Sequence, residues 1–142
     1  MRLIHLDATD GRPIYAQVVE QVTFGIAAGV LRPGELVPSV RELSKQLVIN
    51  PNTVARAYRD LQGQGLLETV RGTGLQVTEG APDRCRAERR EIVRRRLRGA
   101  MEEARRSGLD REEVEAMIRE EWARSNGAAD ANPGEQLGGR RP

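Results

Sequence analysis

Five polar side chains in one short segment, residues 50–59, are of the types that read nucleic acid. Arginine can hydrogen-bond guanine with two donors at once, asparagine can do the same with adenine, and a threonine hydroxyl can hold a phosphate. A helix that only faces solvent more often carries a mixture of glutamate and lysine. The segment therefore predicts a helix whose polar face enters a DNA major groove. Its candidate contact residues are Asn50, Asn52, Thr53, Arg56 and Arg59.

Two other stretches extend this candidate surface. Ser39 and Arg41 stand at the start of a short helical pattern, where a backbone phosphate would be met. Further along, a glycine-bearing turn would approach the sugar-phosphate backbone closely, and its arginine would enter a minor groove or pair with a phosphate. The same glycines would also serve hairpin geometry alone. A dinucleotide-binding loop is rejected, because extended sequence rather than a helix follows the glycines. The turn residues are Arg71, Gly72, Thr73 and Gly74.

Hydrophobic periodicity predicts three helices that position these residues. Apolar residues recur every three or four positions from Ile14, which predicts a first helix ending near Gly29. Ser39 and Glu42 have the spacing of a capping box, so a second, short helix begins there. An asparagine, at position 50 or 52, caps a third helix that ends between residues 63 and 65. The apolar face of this third helix is Val54, Ala57, Tyr58 and Leu61.

Extended sequence follows the third helix. Alternation predicts two short strands, Leu66–Val70 and Leu75–Thr78, whereas the prolines and glycine of Leu31–Pro38 predict a loop. Three helices and a hairpin make residues 1–79 a winged helix-turn-helix domain that binds DNA. The fold class is thus mainly α with a small β-hairpin.

The last third of the chain has a different character. A linker is predicted at Glu79–Asp83, followed by two charged helices interrupted near Ser107-Gly108, which together make residues 80–125 a helical dimerisation region. Residues 126–142 lack periodicity and are predicted to be disordered. Each helix carries one apolar stripe, and a second copy of the chain would bury both; the alternative is that the hairpin folds back on its own winged helix. The stripe residues are Val93, Leu97, Met101, Val114, Met117, Ile118 and Trp122.

Composition narrows the class of protein further. The single cysteine and single histidine exclude an intramolecular disulfide framework, leave little for a metal site and weaken most enzyme interpretations. We therefore expect no enzyme activity, no cofactor and no metal. No apolar run is long enough to cross a bilayer, and the N-terminus has no signal-peptide core, so a cytoplasmic location is expected.

The net charge is only +2, but its distribution is uneven. Residues 84–98 hold eight arginines against Glu88 and Glu91. This arginine cluster is either a solvated helix face or a surface that meets phosphates. It supports an alternative function: a non-specific architectural protein whose main DNA-binding surface is Arg84–Arg98.

The residues quoted above also resemble the DNA-binding domain of GntR-family transcription regulators. The resemblance runs from Pro13 to Thr78 and includes Pro38-Ser39-Val40-Arg41-Glu42-Leu43, Asn50-Pro51-Asn52-Thr53-Val54 and Arg71-Gly72-Thr73-Gly74. The opening Pro13-Ile14-Tyr15-Ala16-Gln17 and the Asn-Pro-Asn-Thr turn are similar to the YtrA-like subfamily.

This resemblance implies roles for particular residues. It implies that Arg41, Thr53, Arg56 and Gly72–Gly74 contact operator DNA. Arg59 is not carried over with them: it lies one turn further along its helix, where only the DNA backbone would be in reach. It also implies that the C-terminal helices form a dimerisation hairpin. The expected function is a homodimeric, sequence-specific regulator, most simply a repressor, on a palindromic operator of double-stranded DNA. A small-molecule effector is a further candidate partner that no residue identifies.

Overall fold

The computed structural model describes residues 4–130 of the chain, with side chains through residue 127. Two strands form one antiparallel sheet and the other elements are helices, which confirms the predicted mainly α fold with a β-hairpin. The chain divides into two compact units, an N-terminal unit that ends at Val93 and a C-terminal unit that begins at Arg94. The elements are α1 (Ile14–Ala27), α2 (Val40–Leu47), α3 (Pro51–Gly63), β1 (Leu67–Val70), β2 (Gly74–Val77), α4 (Ala81–Arg106) and α5 (Arg111–Asp130).

Local signals in the sequence start the helices of the N-terminal unit. The Ser39 hydroxyl accepts the Glu42 backbone N–H at 3.1 Å, and the Glu42 carboxylate accepts the Ser39 N–H at 3.3 Å, so the predicted capping box is present. Of the two asparagines that were candidates for capping α3, Asn50 does so, and Pro51 occupies the first turn, where its missing N–H costs nothing.

The core of the N-terminal unit lies where α1, α2 and α3 meet the hairpin. Spacing by three and four residues places the apolar side chains of each helix on one face, and the predicted apolar face of α3 is buried. The Tyr58 hydroxyl donates to the Pro38 carbonyl at 2.7 Å, which ties α3 to the residue before the α2 cap. Burial raises the pKa of this phenol well above its ordinary value, so it stays a donor. The central core residues are Val18, Val22, Ile26, Leu43, Val54, Ala57, Leu61 and Val77.

A buried glutamine fastens the residues that precede α1. The Gln17 side chain is 2% exposed; its amide nitrogen donates to the carbonyls of Asp7 and Arg12, and its oxygen accepts the Asp7 N–H at 2.9 Å. Because each of its polar groups is paired, this side chain can be buried at little cost. The start of α1 is thereby fixed relative to the chain before it.

The strands pair from Leu67 with Val77 to Val70 with Gly74. The preceding stretch, predicted as a loop, also pairs: Leu36 forms an isolated antiparallel bridge with Gln76. Glu35 and Val37 exchange backbone hydrogen bonds with β2 on either side of that bridge. No helix or strand lies between α1 and α2, so the predicted loop is confirmed; the sequence pattern did not predict that part of this loop would hydrogen-bond to β2.

The predicted linker at Glu79–Asp83 is wrong from Ala81 onwards, whereas residues 79 and 80 form a turn. Helix α4 begins at Ala81, and Pro82 fits its first turn because proline needs no N–H partner there. Ala81 and Cys85 are fully buried in the core of the N-terminal unit. Burial raises the pKa of the Cys85 thiol to about 11. The first turns of α4 therefore complete the core of the N-terminal unit instead of leading away from it.

The C-terminal unit consists of the remainder of α4 and α5. They are joined at residues 107–110, where the predicted interruption is confirmed: Gly108 has φ +84 and the Asp110 carboxylate caps α5 by accepting the Glu113 N–H at 2.9 Å. Helix α5 runs through Asp130, so the predicted disordered tail is wrong for residues 126–130. Two alanines, which are strong helix formers, extend the helix past Asn126 and Gly127. Residues 131–142 of that predicted tail lie outside the described residues.

Candidate nucleic-acid interface

Helix α3 presents its polar side chains on the side opposite its core contacts. Asn52, Arg56 and Arg59 are exposed and, at 100° per residue, share one face, while Thr53 is half-buried at its edge. The opposite face packs into the core through the four residues predicted to do so. The helix is thus fixed on one side and offers amide and guanidinium donors on the other.

Two of the candidate contact residues, Asn50 and Ser39, also cap the N-terminal ends of helices. The Asn50 side-chain oxygen accepts the Asn52 N–H at 2.8 Å, and Ser39 is engaged in the α2 capping box. In each case only an oxygen lone pair is used, so the Asn50 amide and the Ser39 hydroxyl keep their hydrogens to donate. Both residues can therefore cap a helix and meet a DNA acceptor at the same time.

Arg56 is held by an aromatic ring from another helix. Its guanidinium carbon lies 3.7 Å from the centroid of the half-buried Tyr15 ring of α1. This distance is within the range of a cation–π contact, which fixes a long side chain without consuming its N–H donors. No local sequence pattern predicts this pair, because Tyr15 and Arg56 lie on different helices.

Helix α2 contributes two cations near the cap. Arg41 is exposed in its first turn, and Lys45, four residues later, is exposed on the same face. Sequence reasoning missed Lys45, although the four-residue spacing from Arg41 would have indicated it. Together they extend the positive surface along α2.

The hairpin turn is shaped by glycine. The Thr73 N–H donates to the Val70 carbonyl at 3.0 Å, and Gly72 between them has φ +75, which a side chain would disfavour. Arg71 and Thr73 are exposed at the tip. Gly74, with φ +142, begins β2 opposite Val70. The turn therefore projects one guanidinium and one hydroxyl away from the sheet.

Charge in the N-terminal unit is partly neutralised internally. Arg12 is bound by Asp10 at 2.7 Å and by Glu20 at 2.9 Å, and these hydrogen bonds raise its pKa further above its ordinary value. By contrast, Arg41, Arg59 and Arg71 make no ion pair with any acid in residues 4–127. The cations of α2, α3 and the hairpin tip are therefore among those of this unit that no acid in the described residues neutralises.

Six of the seven predicted dimerisation residues line one apolar groove in the C-terminal unit, of about 490 Å³. Half or more of the surface of several of these side chains is open to solvent, and Trp122 is 70% exposed. Val93 is not part of the groove; it lies at the end of the N-terminal unit and is 43% exposed. The groove residues are Leu97, Met101, Val114, Met117, Ile118 and Trp122.

Within residues 4–130, no helix is both long and apolar enough to span a membrane. The described residues likewise contain no group of three or more histidine, cysteine or acidic side chains placed to hold a metal ion.

Comparison with known proteins finds one family and several related regulators. Residues 14–77 match the bacterial regulatory proteins of the gntR family. The chain is similar to the HTH-type transcriptional repressor YtrA of Bacillus subtilis, with 32% identity over 118 residues that cover 83% of this chain and 91% of that protein. It is also similar to the regulator YhcF of the same organism, with 34% identity over 105 residues, 72% of this chain and 84% of that one.

Solved structures that resemble this chain come from the same family. A GntR-family transcriptional regulator from Listeria monocytogenes superposes with a TM-score of 0.68 at 32% identity, over 81% of this chain and 98% of that chain. YtrA from Sulfolobus acidocaldarius, a GntR-family transcription factor, superposes with a TM-score of 0.53 at 35% identity, over 67% of this chain and 97% of that chain.

Proposed function

Because the chain belongs to the GntR family of DNA-binding transcriptional regulators, we propose that it represses transcription as a homodimer on a palindromic operator. The observation that carries this proposal is the exposed face of α3. Asn52, Arg56 and Arg59 stand together on a helix whose other side is fixed in the core. A rigid helix with such a face is the usual means of reading base edges in a major groove.

In this proposal α3 supplies the base contacts. Arg56 hydrogen-bonds a guanine base edge with two donors. The Tyr15 ring restrains its guanidinium while all of its N–H donors remain available. Asn52 takes an adjacent base edge. Thr53, half-buried at the edge of the face, and Arg59, one turn further on, hold phosphates.

The phosphate contacts extend over α2 and the hairpin. In this proposal the Ser39 hydroxyl and the first N–H groups of α2 bind one phosphate, because the dipole at the start of a helix favours negative charge. Arg41 and Lys45 neutralise neighbouring phosphates, and Asn50 donates from the turn before α3. At the hairpin tip, Arg71 and Thr73 meet the sugar-phosphate backbone, which the small Gly72 and Gly74 can approach closely.

The dimer in this proposal is built by the C-terminal unit. A monomer would leave a contiguous apolar groove in water, with Trp122 70% and Met101 52% exposed. Soluble monomers rarely expose such a patch. A second copy offers the same groove, so the two can close around a twofold axis and place two α3 helices on two half-sites.

The arginine cluster supports a second candidate, a non-specific architectural protein. All of the cluster except Arg89 is exposed. If these arginines were the main DNA-binding surface, the affinity for DNA would depend on salt concentration and on the number of arginines, and would be insensitive to base sequence.

Selection of bound sequences from a random DNA pool tests the proposal. We expect a palindrome with two half-sites separated by about one or more helical turns. A variant that removes Arg41 and Arg56 should lose this enrichment, whereas a matched variant that removes Arg94 and Arg98 should keep it. Enrichment of no motif, or a loss only in the Arg94 and Arg98 variant, would favour the architectural function instead.

A further inference from the structure

The N-terminal unit contains a groove that the proposed DNA contacts do not fill. It lies between the chain before α2, the start of α2 and the tip of the hairpin, and has a volume of about 780 Å³. That volume is within the range of roughly 300–1,000 Å³ typical of small-molecule sites.

The lining of this groove, which we call the wing groove, is apolar and acidic. Two large aliphatic side chains of the lining, Val30 and Leu36, are 58% and 47% exposed. Two carboxylates, Glu35 and Glu42, also line it, and no lysine or arginine does. An apolar surface with carboxylates as its only charges suits a ligand with an apolar body and a positive charge.

The two carboxylates have capacity to bind such a charge. Glu35 makes no side-chain hydrogen bond or ion pair within residues 4–127. Glu42 uses one oxygen to accept the Ser39 N–H and retains the other. These carboxylates favour a cation over an anion inside the groove.

We propose that the wing groove binds a small molecule that carries an aliphatic portion and one ammonium group. Glu35 pairs with the ammonium, and Leu36 and Leu75 contact the aliphatic portion. Ser39, Thr73 and Gly74 form part of the same lining and are also proposed DNA contacts. The occupant therefore competes with the operator, a consequence that rests on the proposed function.

Three probes that share a C8 alkyl chain and differ only in the head group test the binding site on the whole chain without DNA. Octylamine, octanol and nonanoate would each be titrated and followed by backbone amide shifts in two-dimensional NMR. We expect octylamine to bind with the lowest dissociation constant and nonanoate with the highest, with shifts centred on Leu36, Thr73 and Leu75. Equal affinity for all three probes, or shifts centred elsewhere, would overturn the proposal.

Two variants separate the charged and apolar contributions. Glu35→Gln should weaken octylamine binding by about two- to fivefold, as for an exposed ion pair, and leave octanol binding unchanged. The matched control is Glu79→Gln, an exposed acid outside the groove, which should change neither. Leu36→Ala should weaken octylamine and octanol alike. If Glu35→Gln and Glu79→Gln behave identically, the assignment of the ammonium site is wrong.

A final experiment measures whether ligand binding weakens operator binding. Operator affinity would be measured first without ligand, which tests the proposed function by itself, and then at saturating octylamine. Weaker operator binding in wild type, with less weakening in Glu35→Gln at the same concentration, supports competition. Unchanged operator affinity in a protein that binds both ligand and operator would refute the competition alone.

Discussion

The guanidinium of Arg56 stacks on the ring of Tyr15, 3.7 Å from its centroid. This contact joins the exposed face of α3 to α1, a helix that has no candidate DNA contact of its own. A cation above an aromatic face gains about 0.5–1 kcal/mol at an exposed site, and the restrained side chain loses less entropy when it binds. Tyr15 is therefore expected to act on DNA through Arg56.

Substitution of Tyr15 tests that role. Tyr15→Ala should weaken operator binding by about two- to fivefold, the equivalent of the cation–π energy, whereas Tyr15→Phe keeps the ring and should stay within about twofold of wild type. Binding is measured by fluorescence anisotropy at a temperature where circular dichroism shows each variant folded, because Tyr15 also packs against the core. In an Arg56→Ala background the alanine substitution should have almost no further effect. An equal further loss in that background would make Tyr15 a purely structural residue.

The turn between α2 and α3 contains a strained residue. Val48 has φ +54, in the left-handed region, and its side chain is 88% exposed, so no packing compensates for the strain. Val48→Asn should raise the free energy of unfolding by about 0.5–1.5 kcal/mol, measured by urea denaturation, since asparagine tolerates this conformation. Val48→Thr is the matched control: it adds polarity but keeps the branched Cβ, and should change stability little. Equal stabilisation by both would show that polarity, and not backbone strain, matters.

The features predictable from sequence were those encoded by neighbouring residues. The capping box of Ser39 and Glu42, and the buried face of α3, depend on spacings of three or four positions within one helix. The Leu36 bridge to Gln76 and the docking of Cys85 depend on residues far apart in the chain, and proline-containing sequence before each suggested a loop or linker. The Tyr15 contact to Arg56 is of the same long-range kind. The candidate site was thus predictable residue by residue, but the contacts that restrain it were not.

The C-terminal groove should control the oligomeric state. Wild type is expected to be a dimer by size-exclusion chromatography with light scattering. Glu substitutions at Met117 and Ile118 should give monomers, because two charges cannot be buried in an apolar interface without partners. Arg119→Glu, next in sequence but outside the groove, is the control and should remain dimeric. A monomeric wild type, or dimers that tolerate both acidic substitutions, would contradict the proposed interface.

Cys85 reports on the docking of α4. Its side chain is fully buried and its pKa is raised to about 11, so at pH 8 both access and the thiolate fraction limit its reaction with a thiol reagent. Labelling of the native chain should be at least a hundredfold slower than in denaturant, where the same thiol, the only one in the chain, is free. Fast labelling under native conditions would mean that the first turns of α4 are not part of the folded core.

The most direct test of operator reading is a comparison of wild type with Arg56→Ala on the selected operator and on its single-base-pair variants. Arg56→Ala should cost about 1–3 kcal/mol on the operator and abolish the preference at one base pair in each half-site, leaving the other positions unchanged. Arg12→Ala, which removes an arginine already paired within the N-terminal unit, is the control and should keep every preference. An equal loss of affinity on all sequences, with every preference retained, would contradict the account, because Arg56 would then hold only the backbone.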